Sequence, residues 1–251
     1  DNFAGKHIYG LDGNPVVWLN DRNGNGIIEP GSDADGNGVI EEDEGDFVKI
    51  YIGMRRGGRN LYAVDVTPSA ALTASDKNAT NKIPPTYMWR IEGGTGDFIG
   101  LGQTWSTPRL TDVVFGTDTA GESVVKKALV FAGGYDTIQD GGFGPGGDGN
   151  GIYFVDPYDG SLMFVVSGTD HLVSNQLIVP GMDYPIPSDL ALMDSDGDGV
   201  GDNSDAFPED SNESMDSDGD GVGDEADYAP KDPEVSSKDD LIGEEIGRAH
   251  V

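Results

Sequence analysis

The sequence predicts an all-β protein. Short apolar runs rich in Val, Ile, Tyr and Phe alternate with turns of Gly, Pro, Asn and Asp. No long helical period appears, and 39 glycines agree with many tight turns. We therefore predict strands at 15–19, 47–53, 60–66, 86–92, 107–115, 126–133, 151–156 and 161–167. Short helices fit only 68–75 and 236–246.

An internal repeat refines this prediction. The segment 61–66, LYAVDV, is echoed about 91 residues later by 152–157, IYFVDP, which leads into a tight turn and another strand. Repeated strand–turn–strand units favour blades of a β-propeller, of which the chain holds about two. A β-sandwich is the alternative. The predicted architecture is thus a partial propeller over 1–193, with an inserted segment at 20–46 and an acidic region after it.

The negative charge is concentrated in two segments. Residues 194–240 hold 18 acids and two lysines, net −16, and residues 21–46 hold nine acids and one arginine, net −8, of a total of −31. The remainder resembles an ordinary globular chain. Such a balance argues against nucleic acid and anionic membranes as partners, and the sequence contains no run that predicts membrane insertion.

Four acidic windows follow the twelve-residue calcium-loop pattern D-x-[DN]-x-[DN]-G. Three begin at Asp33, Asp194 and Asp216, the last two 22 residues apart; the fourth begins at Asp21 and has Ser32 at position 12. The predicted ligands are Asp21, Asn23, Asn25, Ile27, Glu29; Asp33, Asp35, Asn37, Val39, Glu41, Glu44; Asp194, Asp196, Asp198, Val200, Asp202, Asp205; and Asp216, Asp218, Asp220, Val222, Asp224, Asp227.

The spacing points to calcium for a physical reason. Calcium takes six to eight oxygens in a flexible shell, including a backbone carbonyl at position 7, whereas magnesium requires a strict octahedron. Glycine at position 6 permits the sharp turn. An acidic linker is the simpler alternative, but it would not repeat glycine at position 6 and a β-branched residue at position 7.

The loops are arranged in two ways. Those at 21 and 33 abut without EF-hand helices and interrupt the sheet between Leu19 and Phe47, as an excursion from a β-hairpin. Residues 194–234 form a separate rod of calcium repeats, each closed by an apolar-proline clamp at 206–208 or 228–230, with a tail at 235–251.

The remaining motifs favour structural roles. Trp18, Trp89 and Trp105 are predicted to pack in the core, and the Arg55–Arg59 cluster to satisfy carbonyls or loop acids. His7 and His171 lack zinc-ligand spacing. No order of residues supports a catalytic nucleophile, so no catalytic or cofactor-binding residue is predicted. There is no cysteine and hence no disulfide.

Several ordered motifs resemble a known family. They are YGLDG at 9–13, GMRRGGRNLYAVDVT at 53–67, LGQTWSTP at 101–108 and VFAGGYD at 130–136. Together they resemble the C-terminal propeller of PilY-type proteins of bacterial type IV pili over residues 5–198. The resemblance implies calcium binding through the loop at 194–202 and a role in pilus dynamics or adhesion.

The resemblance breaks in the acidic region. From 203 the chain resembles thrombospondin type 3 calcium repeats instead of continuing into a propeller strand, which indicates an insertion or a false join. Residues 246–251, IGRAHV, resemble translated sequencing adapter and are interpreted as an artefact. The chain opens at Asp1 without methionine and without a signal peptide, which is typical of an internal fragment.

The leading hypothesis is a non-enzymatic, calcium-binding protein of type IV pilus biogenesis and adhesion. The resemblance implies minor pilins or a host or abiotic surface as partners, and an extracellular, pilus-associated location reached through the periplasm. Millimolar calcium outside the cytosol agrees with export. The alternatives are a quinoprotein dehydrogenase-like propeller enzyme, and a generic extracellular protein in which the calcium repeats are a spacer.

Overall fold

The computed structural model describes residues 9–32, 36, 40–68, 72–73, 85–117, 119, 123–142, 144–193, 200–201 and 205–237. The chain divides into two compact units. The first contains 1–110 and 128–190, and the second contains 111–127 and 191–251. Within the described ranges, no helix has the length and apolarity needed to cross a membrane.

The described chain is mostly β-structure. The strands are β1 (Val16–Asn20), β2 (Ile27–Ile28), β3 (Phe47–Gly53), β4 (Leu61–Asp65), β5 (Leu72–Thr73), β6 (Thr86–Ile91), β7 (Arg109–Thr117), β8 (Ser123–Ala132), β9 (Gly151–Val155), β10 (Leu162–Ser167) and β11 (Gln176–Ile178). Short 3₁₀ turns lie at Arg55–Gly57, Gly96–Phe98 and Thr137–Asp140. All eight predicted strands are present, with small shifts at their ends.

The first sheet has the order β1-β3-β4-β6, and every pair in it is antiparallel. Strands β1 and β3 pair with Asn20 opposite Phe47, so the acidic segment between them leaves the sheet from one hairpin. Inward and outward residues alternate strictly along β3. This alternation buries Phe47, Lys49 and Tyr51 on one face.

The second sheet has the order β11-β10-β9-β8-β7. Strand β9 pairs antiparallel with both β8 and β10. Strand β11, which the sequence analysis missed, pairs parallel with the end of β10, Val165 lying opposite Gln176. It is only three residues long, and so short a run gives too little alternation to be recognised.

A two-stranded sheet corrects one prediction. Ile27–Ile28 pairs antiparallel with Leu72–Thr73, so the helix proposed for 68–75 is wrong at these two residues. The strand partner comes from the acidic insertion, and such a distant pairing outweighs weak local helix propensity. The helix proposed for 236–246 lies almost wholly outside the described residues, and Ser236 and Ser237 form a bend.

The repeated segments both form central strands, but their buried faces differ. Leu61 and Ala63 are buried in β4, whereas Tyr153 and Val155 are buried in β9. Aligned residues of the repeat therefore face opposite sides. What the copies share is the turn that follows, because Asp65 accepts a hydrogen bond from the Thr67 amide and Asp156 from the Tyr158 amide.

One hydrophobic core joins the two sheets of the first unit. Its members from the first sheet include Trp18, Phe47, Tyr51, Leu61 and Trp89, and those from the second sheet include Leu129, Phe131, Tyr153, Val155 and Val165. The Phe131 and Tyr153 rings stack at 5.7 Å. Burial raises the pKa values of Tyr51 and Tyr153.

A tight turn of the second sheet anchors this core. The carbonyl of Pro157 accepts hydrogen bonds from the Tyr51 hydroxyl at 3.0 Å and from Trp89 Nε1 at 3.1 Å. Gly160 closes the turn with φ +76, and a Cβ there would lie 2.7 Å from atoms of the Trp89 ring. The turn can approach the first sheet only because position 160 lacks a side chain.

The same turn completes a cage around a buried lysine. The Lys49 Nζ atom lies 3.8 Å from the Phe47 ring centroid, 4.2 Å from that of Tyr158 and 5.2 Å from that of Trp18. It also donates to the carbonyl of Ile40 at 2.8 Å. Burial lowers the pKa of Lys49 to about 8, against the opposing effect of nearby acids such as Asp65.

Substituting Gly160→Ala tests the fit of this turn. We expect the free energy of unfolding to fall by about 1–3 kcal/mol, because the left-handed backbone and the Trp89 ring both oppose a Cβ. Guanidinium denaturation in excess calcium measures the change. Gly142→Ala is the matched control, because a Cβ there meets nothing within 4 Å. Equal losses in the two variants would contradict this account.

Candidate metal centre

The loop 216–227 brings three acids together. Carboxylate oxygens of Asp216, Asp218 and Asp220 lie within 4.8 Å of one another. The backbone positions them, because Gly219 and Gly221 have φ values of +80 and +91 and turn the chain sharply. These are positions 1, 3 and 5 of the predicted pattern, so the expected convergence is present in this loop.

Backbone amides hold these side chains. Gly221 donates to Asp216 Oδ2 at 3.0 Å, Asp220 to Asp218 Oδ1 at 3.2 Å, and Val222 to Asp220 Oδ1 at 2.8 Å. Each bond fixes one oxygen of a carboxylate. Asp216 is held at both oxygens, because the Gly219 amide also donates to its Oδ1 at 2.7 Å.

Two carboxylate oxygens of the loop 216–227 are buried and have no hydrogen-bond partner. They are Oδ2 of Asp218 and Oδ2 of Asp227, at positions 3 and 12. Desolvation raises the pKa of Asp218, and the charges of Asp220, Asp227 and Asp216 act in the same direction. Buried carboxylate oxygens without a partner cost free energy, and a bound cation would remove that cost. The residues present therefore fit a hard divalent ion.

Position 9 of this loop behaves differently. Both oxygens of Asp224 are used by Ser217, whose backbone amide donates to one at 2.8 Å and whose hydroxyl donates to the other at 2.7 Å. These hydrogen bonds lower the pKa of Asp224. Asp224 thus closes the loop in this arrangement, and an ion would reach it only beside these bonds.

The loop at 21 reproduces the same hydrogen bonds. Gly26 donates to Asp21 Oδ2 at 2.7 Å, Asn25 to Asn23 Oδ1 at 3.0 Å, and Ile27 to Asn25 Oδ1 at 2.7 Å. Gly24 and Gly26 again have positive φ. The free oxygen, Asp21 Oδ1, is buried without a partner. Two distant sequences thus fold into one loop geometry.

The rest of this loop is tied to its own acid and to the sheet. Asn23 Nδ2 donates to Glu29 Oε2 at 2.9 Å, which fixes the position-9 carboxylate. Asp46, buried just before β3, accepts from the amides of Arg22 at 2.9 Å and Glu29 at 2.8 Å. Asp46 is not one of the predicted calcium ligands. Its location directly before a buried strand was the available signal.

The loop at 33 is described only in part. Asp33, Asp35, Asn37 and Val39 lie outside the described residues. Gly36 has φ +78, and the Glu41 amide donates to Glu44 Oε2 at 3.2 Å, which links positions 9 and 12. The Lys49 contact to Ile40 attaches this loop to the first sheet.

The loop at 194 is described at Val200, Gly201 and Asp205, whereas Asp194, Asp196, Asp198 and Asp202 lie outside the described residues. The 22-residue period nevertheless continues beyond it. Asp205 accepts from the Phe207 amide as Asp227 does from Ala229, and Asp210 accepts from Asn212 as Asp232 does from Glu234. The two apolar-proline clamps therefore share one conformation.

A buried acid stabilises the second repeat. Glu213 is buried, and its Oε2 accepts from the Glu225 amide at 3.1 Å. Its counterpart one period later is Val235, which is also buried. Each repeat thus places one side chain inward at this position, even without regular strands.

One pair resembles part of a catalytic triad. Ser167 Oγ and His171 Nε2 lie 3.0 Å apart. However, Ser167 has no exposed surface, and its hydroxyl also accepts from the Thr169 amide. Burial lowers the pKa of His171. A nucleophile must reach its substrate, so this pair stabilises the end of β10 instead.

The comparisons with known proteins assign no family to the chain. No protein-family model matches the chain, and no curated protein is significantly similar to it. One solved structure that aligns with it is the C-terminal domain of PilY1 from Pseudomonas aeruginosa, with 19% identity and a TM-score of 0.39. The alignment covers 76% of this chain and 27% of that domain. The chain therefore spans far less than that domain's length.

Substituting Asp46→Ala tests how the loop at 21 is attached. Two backbone amides would lose a buried acceptor, so we expect the free energy of unfolding to fall by about 2–4 kcal/mol. Hydrogen exchange should also accelerate at the amides of Arg22 and Glu29. Asp43→Ala, at an exposed acid of the same segment, is the control. Unchanged exchange at both amides would show that Asp46 does not hold the loop.

Proposed function

We propose that this chain is a non-enzymatic, calcium-binding β-protein. The observation that carries the proposal is the shared geometry of the loops at 21 and 216. In each, backbone amides fix at least one side-chain oxygen at positions 1, 3 and 5. In each, a buried carboxylate oxygen has no partner. Oxygen donors in such loops suit calcium.

The proposed ligands follow the sequence pattern. In the loop at 216 they are Asp216, Asp218, Asp220, the carbonyl of Val222, and Asp227, with Asp224 nearby. In the loop at 21 they are Asp21, Asn23, Asn25, the carbonyl of Ile27, and Glu29. The loop at 21 has fewer charges and no acid at position 12. We therefore propose that it binds more weakly.

Calcium would act by stabilising loop conformation. Two carboxylates about 4 Å apart repel by about 4 kcal/mol at an effective dielectric of 20. A calcium ion bound between the carboxylates would attract each of them and so offset their mutual repulsion. Because Asp46 and Lys49 tie the acidic insertion to the first sheet, an ordered loop would also stabilise that sheet. We propose the same for the loops beginning at Asp33 and Asp194.

We further propose that the two sheets are blades of a propeller. The order β1-β3-β4-β6 is a four-stranded antiparallel meander, the topology of a propeller blade. The second sheet supports the proposal because β8, β9 and β10 repeat the antiparallel order. The strand pairings support this proposal. The repeat of 61–66 at 152–157 does not support it, because aligned residues of the two copies are buried on opposite faces.

The biological setting is proposed from the sequence motifs alone. Their order resembles PilY-type proteins, so we propose a role in type IV pilus biogenesis or adhesion. Minor pilins or a host or abiotic surface would be the partners, and the protein would reach the cell surface through the periplasm. Calcium would order the loops that border the binding surface.

Calcium titration of paired variants tests the metal site. In Asp218→Asn combined with Asp227→Asn, we expect one site to lose affinity by at least about tenfold, because both unpartnered oxygens lose charge. Competition with a chromophoric chelator measures stoichiometry and affinity. Glu225→Gln removes a neighbouring charge outside the pattern and is the control. If the double variant bound like the control, the proposed site would be wrong.

Binding to purified minor pilins tests the setting separately. We expect binding by biolayer interferometry in calcium and at least about tenfold weaker binding in EGTA, since chelation restores carboxylate repulsion in the loops. The Glu225→Gln variant should behave like the unmodified chain. Absence of binding in both buffers would remove the pilus proposal, while calcium affinity from the preceding titration would stand.

A further inference from the structure

An open cavity of about 740 Å³ lies in the first unit. Its lining consists of Tyr9, Arg56, Gln103, Trp105, Tyr135, Asp140, Pro187 and Ser188. None of these is a predicted calcium ligand. The volume falls in the range of small-molecule sites, and aromatic walls with a few convergent polar groups are typical of them.

Backbone hydrogen bonds preorganise the cavity. Gln103 and Tyr135 form a bridge through bonds of 2.8 and 2.9 Å. Gly134 donates to the carbonyl of Ile186, and the Thr107 amide donates to Asp189 Oδ1, which brings Pro187 and Ser188 to the rim. Gly134 has φ +91, and a Cβ there would overlap the Gln103 carbonyl. The bridge therefore requires glycine.

The lining residues come from motifs that the calcium proposal leaves unexplained. YGLDG supplies Tyr9, GMRRGGR supplies Arg56, LGQTWSTP supplies Gln103 and Trp105, and VFAGGYD supplies Tyr135. Trp105 was predicted to be a core residue, but it is only half-buried and faces this cavity. Four separated motifs thus converge on one place.

The aromatic rings and the arginine form one unit. The Arg56 guanidinium lies 5.7 Å from the Tyr9 ring centroid and 5.8 Å from that of Trp105. Trp105 and Tyr135 meet edge to face at 6.4 Å. Arg56 is exposed and forms no ion pair within the described residues, and its Nη1 donates to the Tyr9 hydroxyl at 3.5 Å.

The polar groups supply both donors and acceptors. The Tyr135 hydroxyl donates to Asp140 Oδ1 at 2.7 Å, and Trp105 Nε1 donates to Gln103 Oε1 at 3.2 Å. The second oxygen of Asp140, the Gln103 amide and the Ser188 hydroxyl complete the set. One arginine and one aspartate make the lining neutral overall.

We propose that this cavity binds a neutral saccharide through a single pyranose ring. A pyranose offers apolar C–H faces to aromatic rings and hydroxyls around its edge that both donate and accept. That combination matches partly exposed rings bordered by Arg56, Asp140 and Gln103. Paired hydroxyls suit the planar forks of guanidinium and carboxylate groups.

Other ligand classes fit less well. A quaternary ammonium ion would be repelled by the like charge of the Arg56 guanidinium, which lies beside the Tyr9 and Trp105 rings. An anion would meet Asp140 and a chain of net charge −31. A proline-rich peptide uses aromatic grooves, but its prolines have no N–H to give to the acceptors Asp140 and Gln103.

The test is titration of the full chain, in excess calcium, with a panel of neutral methyl glycosides. The probes are the α- and β-glycosides of glucose, galactose, mannose and N-acetylglucosamine, followed by tryptophan fluorescence and saturation-transfer NMR. We expect saturable binding of at least one glycoside. Trp105→Ala and, at an exposed position, Asp140→Asn should each weaken it by roughly tenfold.

Tyr87→Ala is the matched control, because this ring is 60% exposed on β6 and outside the cavity. It should leave the affinity unchanged. The proposal is overturned if no glycoside binds, if Tyr87→Ala weakens binding as much as Asp140→Asn, or if acetylcholine, inorganic phosphate or a proline-rich peptide binds this cavity in place of the sugars. Because Asp140 is exposed, its variant remains informative even if Trp105→Ala does not fold.

Discussion

The first unit depends on one carbonyl. Pro157 accepts from both Tyr51 and Trp89, so a turn of the second sheet is bonded to two buried aromatic residues of the first. Without these bonds, a hydroxyl and an indole N–H would be buried and unpaired, at a cost of about 1–3 kcal/mol each. Tyr158 of the same turn also covers Lys49. Core packing, the lysine cage and attachment of the acidic insertion all meet there.

The acidic loops follow a different principle. Their stability comes from backbone amides that hold carboxylate oxygens, and their remaining oxygens carry unrelieved negative charge. A globular core and a set of charged loops thus coexist in one chain. In the insertion at 20–46, Lys49 connects the loops to the first sheet through a carbonyl and Asp46 through two amides, and Asn20 Nδ2 also donates to the carbonyls of Glu42 and Gly45. Changes in the loops should therefore reach the first sheet.

The sequence predicted the longer strands and the acidic loop at 216–227, but it did not predict the shortest strands. The short run rich in Val, Ile, Tyr and Phe at 47–53 predicted β3, and the alternation of its buried face was found in the structure. The calcium-loop pattern predicted the conformation at 216–227 because glycine at positions 4 and 6 and acids at 1, 3 and 5 leave few alternatives. The strands β2, β5 and β11 were missed, since strands of two or three residues depend on distant chain segments. The sequence did not predict that aligned residues of the repeat are buried on opposite faces.

The class of structure and the spacing of acids and glycines in the acidic loops could be predicted from the sequence, because both depend on residues close together in the chain. Three other features are apparent only in the folded chain. Trp105 faces a cavity, Asp46 anchors a loop, and the missing side chain of Gly160 lets a turn pack against Trp89. Each of these depends on residues far apart in the chain. Their contacts depend on how the two sheets pack, and that packing cannot be predicted from the residues next to each of them in the sequence.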